Sequence, residues 1–375
     1  MLKLLKKKAD PKVGPDYLVL NLGPHHSGAA RGLRVVVQLD GETVIRCVPQ
    51  CGYRHGGFEK LAESTSATGL LDHIDRTGWM AAPATQIAIA SAFEAAIGVT
   101  IPERAAFVRM LAAELERIAG HLSNTSALAR DLGVDRVAVR VARASNAVAS
   151  TIRELSEGGG HAFVRLGGVA RDLPEGITSR IDDALRQTER AIGLAESGLG
   201  NTRTFGLRTR GIGAYSMQDV ADFSLSGPVL RACGLMEDVR TYASYLAYGQ
   251  VSFDVPIGSE GDARDRFRVR LAEIRQSLRI VRSVLTDIPP GAVREDVAPD
   301  PVLPEGETYR AVEAPGGELG CLLVGSGEPR PRRLRLRTPS QFHFRSMSDR
   351  AVDHRLADVI PFLTSLDIRI EELDR

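Results

Sequence analysis

Apolar residues fall into two regimes along the chain. In the first sixty residues they form short runs with β-branched character. LRVVVQL and ETVIRCV flank Asp40-Gly41, and DYLVLNLG precedes them. Asp-Gly suits a type I′ hairpin, which needs φ > 0 at both central positions, so a small antiparallel sheet is expected over residues 16–49. From about Leu61 to Ile288 the period becomes helical. Phe107, Leu111, Leu115, Ile118 and Leu122 recur in steps of three and four behind Pro102, which suits a helix start. Gly98 stands where the preceding helix should stop. Phe267, Leu271, Ile274, Leu278, Val281 and Leu285 mark a second long helix. Its other faces carry Arg264, Arg268, Arg275, Arg279 and Arg282 and read as solvated. Residues 289–306 are rich in Pro and acidic residues and read as a surface connection. ETYRAVEAP, GELGCLLVG and RRLRLRTP then predict short strands, with a turn at 325–329. A last helix is expected from Asp353 to Leu366.

This pattern predicts an α+β chain, predominantly α. It divides into an N-terminal β-region over 1–60, a helical core over 61–288 and a C-terminal β/α region over 289–375, integrated into one structural domain. The 375 residues are 43% hydrophobic but only 5% aromatic, so the core should be aliphatic and Ala-rich. A net charge of +1 gives no footprint for nucleic acid. The basic start, with Lys3, Lys6, Lys7, Lys8 and Lys12, reads as a solvated terminus or as weakly attracted to an anionic membrane surface. It lacks the apolar run of a secretory signal. WMAAPATQIAIASAFEAAIG, at 79–98, is interrupted by Pro83, Gln86 and Glu94 and reads as a core helix rather than a membrane span. Cys47, Cys51, Cys233 and Cys321 form no C-x-x-C pair. A zinc ribbon or iron–sulfur cluster held by this chain alone is therefore not expected.

Five stretches carry candidate chemistry. GPHHSGAARGLR holds His25 and His26, which are either hydrogen-bonding loop histidines or, with Cys51 and His55, metal ligands. The spacing of Cys51 and His55 would place them one turn apart on a helix. VPQCGYRHGGFEKL is a Gly-rich turn into a helix and matches no nucleotide motif. HIDRTGWM carries Arg76 and Trp79. ARDLG carries Asp131 at a helix end. HAFVRLGGVARDLPEG carries His161 and Arg165 before a Gly-Gly turn. No Ser-His-Asp order, H-E-x-x-H or P-loop is present. Alone, these residues describe a large α-rich soluble protein with a His-containing loop.

Taken in order, the pieces carry a resemblance. NLGPHH, DGETVIRCVPQCGYRHGGFEKL, ELERIAGHL with DLG, VRLGGVARDLPEG, SGPVLRACG, YGQVSFDVPIGSEGDARDRFRVRLAEIRQSLRI, GELGCLLVGSGEPRPRRLRLRTPS and SLDIRIEELDR resemble the 49-kDa subunit family of respiratory complex I, the NADH–quinone oxidoreductase. The resemblance implies a helical core like that of the large subunit of nickel–iron hydrogenases. It implies a peripheral-arm subunit on the cytoplasmic side of the cell membrane, packed against a small iron–sulfur subunit. The quinone headgroup would sit in the cleft between the two. NAD(H), FMN and the iron–sulfur clusters would lie on other subunits, and proton translocation would occur in the membrane arm.

The same resemblance singles out departures. Family members usually read GPQHPSTHG in the first loop. His26 keeps the first histidine, and Ala30 replaces the second, which hydrogen-bonds the quinone and passes it a proton. Trp79 occupies the position of the quinone-contacting tyrosine. Its indole N–H donates a hydrogen bond but is no proton source. Asp131 matches the aspartate that pairs with the missing histidine. His55, Arg76 and His161 match positions near the partner's cluster, and Gly56 stands where the family often has arginine. The helical insertion that many relatives carry before the last strands is absent from 289–306. Hydrogenase chemistry is not expected: Arg54 occupies the second thiolate position of the first Cys pair, and SLDIRIEELDR has no cysteine. The departures leave a second reading open, an assembly-competent paralogue that no longer reduces quinone and serves another acceptor.

Overall fold

The protein is seen in a computed structural model that describes residues 17–23, 32–77, 82–156, 163–298 and 300–375, with the backbone alone at 75–77. Strands β1 (Leu18–Leu22), β2 (Arg34–Asp40) and β3 (Thr43–Gln50) form the expected antiparallel sheet in that order. Val35, Val37 and Leu39 alternate onto its buried face, with Val44 and Cys47 from β3. The hairpin differs from expectation by one residue. Asp40 pairs with Thr43, so Gly41 and Glu42 are the central residues. Only Gly41 has positive φ, at 57°, which fits the II′ class of turn and not I′.

A non-helical stretch from 51 to 57 leads into α1 (Phe58–Ala62). The expected one-turn relation of Cys51 and His55 is therefore wrong. Gly52 and Gly57, at φ 107° and 63°, hold the chain out of the helical region until Phe58. Helices α2 (Ala67–Thr77), α3 (Ala82–Ile97), α4 (Glu103–Asp131) and α5 (Asp135–Ser156) follow. The two-residue strands β4 (Val164–Arg165) and β5 (Gly168–Val169) make a tight hairpin before α6 (Ile177–Ala195), which ends in a wide turn over Glu196–Gly200. α3 stops at Gly98, whose φ is 72°. Short helices α7 (Arg203–Thr209), α8 (Met217–Phe223), α9 (Gly227–Ala232) and α10 (Val239–Tyr242) lead to α11 (Ala263–Asp287). Strands β6 (Gly306–Ala314), β7 (Gly317–Gly325) and β8 (Arg333–Arg337) form a second antiparallel sheet. Helices α12 (Pro339–Arg350), α13 (Leu356–Leu366) and α14 (Ile370–Leu373) close the chain.

The fold is α+β, predominantly α, as expected. α4 packs against both α5 and α11, α5 against α6, and α3 against β6 and β7. The predicted apolar face of α4 is buried throughout, and the core is aliphatic and Ala-rich. A second apolar cluster joins the first sheet to α8, α9, α12 and α13. α12 was not anticipated, because PSQFHFRSMSDR has no apolar period. The last long helix starts at Leu356 rather than Asp353, whose φ of 67° lies outside the helical region.

Candidate functional site

Asp131 is the last residue of α4. The Thr364 hydroxyl of α13 donates to its Oδ2. α13 thus supplies this helix-end carboxylate with a hydroxyl. Two turns back on α4, Asn124 Nδ2 donates to the Thr364 carbonyl at 2.7 Å and reaches Asp367 Oδ1 at 3.4 Å. Arg369 lies 3.6 Å from Asp367 Oδ2. Gly120 lets it approach, since a Cβ there would stand 2.8 Å from Arg369 Nη2. Glu116 is the next residue of this stripe. It accepts the Ala84 N–H at 3.0 Å, in the first turn of α3. A polar seam thus runs along α4 from Asp131 to Glu116, against the segment Thr364–Glu372.

Burial dominates the seam's electrostatics. It pushes the Glu116 carboxyl up from 4.5 to about 7, against the Arg369 and Arg117 guanidiniums and the Ala84 N–H; Glu372 pushes the same way as burial. Burial also raises Glu372. For Asp367 burial is outweighed by Arg369 and Arg270, so its carboxyl lies below the ordinary range.

A second set of buried charges occupies the next faces of α4 and α11. Arg240 bonds Glu114 at 2.9 Å and Asp238 at 2.7 Å, and Tyr248 and Ser277 also donate to Glu114. Arg231 reaches Glu273 at 2.7 Å and Glu313 at 2.8 Å. His121 Nε2 meets Glu273 Oε2 at 2.8 Å, while its Nδ1 has no hydrogen-bond partner. Burial takes His121 down to about 4, so the ring is neutral at pH 7 even beside Glu273. Glu313 lies in the wall of an open cleft of about 140 Å³ that Asp238, Glu318 and Arg337 also line.

The sequence singled out none of these groups. Glu114, Arg117 and His121 recur at steps of three and four, the period of one helix face. That signal was present, but charge on a helix reads by default as solvent-facing. On α11 the expected solvated face holds for Arg268, Arg275, Arg279 and Arg282, while Arg264 is half-buried. Arg275, Arg279 and Arg282 are exposed and paired with Glu196, Asp254 and Glu189, whereas Arg266 and Arg270 are fully buried.

His55 is exposed on the 51–57 loop. That loop is held by the chain's last residues: Gly52 and Arg54 N–H groups donate to Asp374 at 2.6 and 2.8 Å, and Arg54 pairs with Glu371. Arg76 lies on α2 with its side chain outside the description, and a turn earlier Asp72 pairs with Arg165 of β4 at 3.0 Å. His25, His26, Ala30, Trp79 and His161 lie outside the described residues. The structure therefore brings Asp131 to the seam and leaves His55 on a separate loop.

A family model described as respiratory-chain NADH dehydrogenase, 49 Kd subunit, matches residues 159–300 and 295–375. The chain is 34% identical to the NADH-quinone oxidoreductase D-subunit of Methylacidiphilum infernorum, over 100% of this chain and 96% of that protein. It belongs to the 49-kDa subunit family. The second D-subunit of Rhizobium etli is 36% identical over 96% of this chain and 95% of its own length. The D-subunit of Desulforamulus reducens is 35% identical, over 96% and 98%. A 49-kDa-family chain is a subunit of an NADH–quinone oxidoreductase and assembles with other subunits. Among the described residues no three His, Cys, Asp or Glu side chains are grouped to hold a metal ion, and no helix is long and apolar enough to cross a membrane.

Proposed function

We propose that this subunit forms, with a small iron–sulfur partner, the cleft in which quinone is reduced, on the cytoplasmic side of the membrane. Electron transfer there would be coupled to proton translocation by the membrane arm. The observation that carries this reading is Asp131, the family's site aspartate, held at the end of α4 by a hydroxyl from α13. Electrons arrive from the partner's cluster, near His55, Arg76 and His161. The headgroup lies beside His26, Ala30, Trp79 and Asp131. Alanine offers no hydrogen bond there. The Trp79 N–H orients a carbonyl without giving up its proton. Proton supply therefore falls to other groups of the chain or to water.

The test is electron transfer from NADH to a short-chain quinone by the complex purified through a tag on this chain. Inhibitor-sensitive reduction supports the reading. An intact complex that reduces an artificial acceptor but leaves quinone untouched favours the second reading, a paralogue that kept its place in the assembly and lost this chemistry. The departures at Ala30 and Trp79 motivate that alternative. In the first case, Ala30→His combined with Trp79→Tyr raises quinone turnover, because it restores both a proton donor and a phenol. Unchanged turnover in the intact double variant counts against this placement of the headgroup.

A further inference from the structure

We propose that the outward face of α5 is a docking surface for an acidic segment of another subunit of the complex. The inference goes beyond the quinone reading and does not rest on it. It needs only that a 49-kDa-family chain assembles with other subunits.

Charge is the first ground. α5 carries Arg136, Arg140, Arg143 and Arg153, and all four are exposed. The first three follow at steps of four and three, so they form one row along the helix. Like charges at that spacing repel each other. The acids of α5 do not offset the row. Asp135 is the first residue of the helix, where the helix dipole already favours a carboxylate, and Glu154 pairs with Arg180 of α6. Among the described residues none of the four arginines has an ion pair or a hydrogen bond. Exposed arginines on other helices do find acids: Arg186 has Asp183, Arg275 has Glu196 and Arg282 has Glu189. The α5 row is a concentration of positive charge that this chain leaves uncompensated, and its complement is anionic.

Shape is the second ground, and it selects the occupant. A groove of about 150 Å³ runs between α4 and α5, lined by Ser123, Ser126, Arg130, Ala142, Ser145 and Asn146. No carboxylate lines it. Ser126 and Ser145 donate their hydroxyls to the Ala138 and Ala119 carbonyls, both at 2.8 Å. The Arg130 guanidinium, the Asn146 amide and the Ser123 hydroxyl make no hydrogen bond among the described residues. The groove therefore presents donors, and a carboxylate accepts them. An arginine fork takes a carboxylate through two parallel hydrogen bonds. The competing anion is a lipid surface. Helices that lie on a membrane bury an apolar face beside their basic residues. On α5 the only exposed large apolar side chain is Val139. A flat headgroup layer also leaves a groove unfilled, whereas an acidic side chain of a docked segment enters it. Arg130 widens the patch across the groove. Arg153 extends it along α5, to roughly 25 Å from Arg136. The partner is thus a segment of about that length that bears several carboxylates.

The experiment uses the purified complex. Arg136→Gln, Arg140→Gln and Arg143→Gln are combined in one variant, and Arg136→Lys, Arg140→Lys and Arg143→Lys in another. Arg275→Gln with Arg282→Gln is the control, since those arginines are paired within the chain. Retention of this chain in the complex is followed against salt. A carbodiimide, which joins a lysine amine to a carboxylate in contact with it, is applied to the lysine variant. The expected result is that the glutamine variant leaves the complex at lower salt. At a fixed salt concentration about tenfold more of it is released, the combined effect of three surface ion pairs of ordinary strength. The lysine variant recovers most of the retention, and the control matches the parent. In the lysine variant, cross-linked peptides join α5 to an acidic segment of another subunit. Parental salt resistance in the glutamine variant, or no cross-link from α5 in an intact lysine complex, overturns the docking surface. Salt resistance that depends on added phosphatidylglycerol, with α5 unlinked to protein, puts lipid on this face and overturns the acidic segment. None of these readouts depends on quinone turnover, so failure of the quinone reading leaves this test in force.

Discussion

Glu116 keeps its proton in the folded protein to about pH 7, whereas an exposed glutamate loses it near 4.5. The folded state therefore binds more protons between those values, and stability falls as pH rises across that window. The shift corresponds to roughly 3 kcal/mol, fully present below about 4.5 and gone above about 7. Glu116→Gln is neutral at every pH and removes this dependence. Thermal unfolding of the complex at pH 5 and pH 7.5 should show a smaller loss for the variant than for the parent; equal losses would mean that Glu116 ionises at an ordinary value. The residue itself was visible in ELERIAGHL, a stretch that carried the family resemblance. Its burial was not, because it comes from the docking of the C-terminal segment some 250 residues later in the chain. Asp131, by contrast, was legible in ARDLG as a helix-end residue, and it is the last residue of α4.

The long helices were readable because each buries one apolar stripe, and α4, α5, α6 and α11 pack by those stripes. What the period could not show is that α4 and α11 also bury charge on adjoining faces. Arg231 of α9 holds that layer together. It is fully buried and engages Glu273 and Glu313 at once, with Asp238 at 3.5 Å. Arg231→Met keeps the volume and removes the cation, leaving buried carboxylates with one guanidinium fewer. Breaking such a set from one side costs about 3–5 kcal/mol. Hydrogen exchange in α9 and α11 peptides of the complex should rise by orders of magnitude, with α5 and α6 little changed. Protection equal to the parent would mean the charges find other partners. The short helices α7 to α10 were not individually legible for a related reason. They carry too few residues for a period, and local capping such as Ser216 with Asp219 fixes their ends.

At the scale of the whole molecule, the 51–57 loop is tied to the last residues of the chain. Arg54 stands there and pairs with Glu371. Asp374 receives the Gly52 and Arg54 N–H groups through its two carboxylate oxygens, and its carbonyl accepts the Gly56 N–H at 3.3 Å. Arg375 adds Glu59 at 2.8 Å and Thr338 at 2.7 Å, fastening α1 and the start of α12. A carboxylate clasp joins this loop to the C-terminal residues, and the loop it holds carries His55. Asp374→Ala leaves two backbone donors without acceptors, at a cost of about 1–3 kcal/mol for partly buried groups. Asp374→Asn keeps one acceptor oxygen and should recover part of it. The measurement is hydrogen exchange of the 51–57 amides in the assembled complex, read beside quinone turnover. Faster exchange in Ala than in Asn, with turnover falling in the same order, would tie the clasp to the position of His55. Faster exchange with full turnover would leave His55 a bystander, and Asp131 with its seam would carry the reading of the site without it.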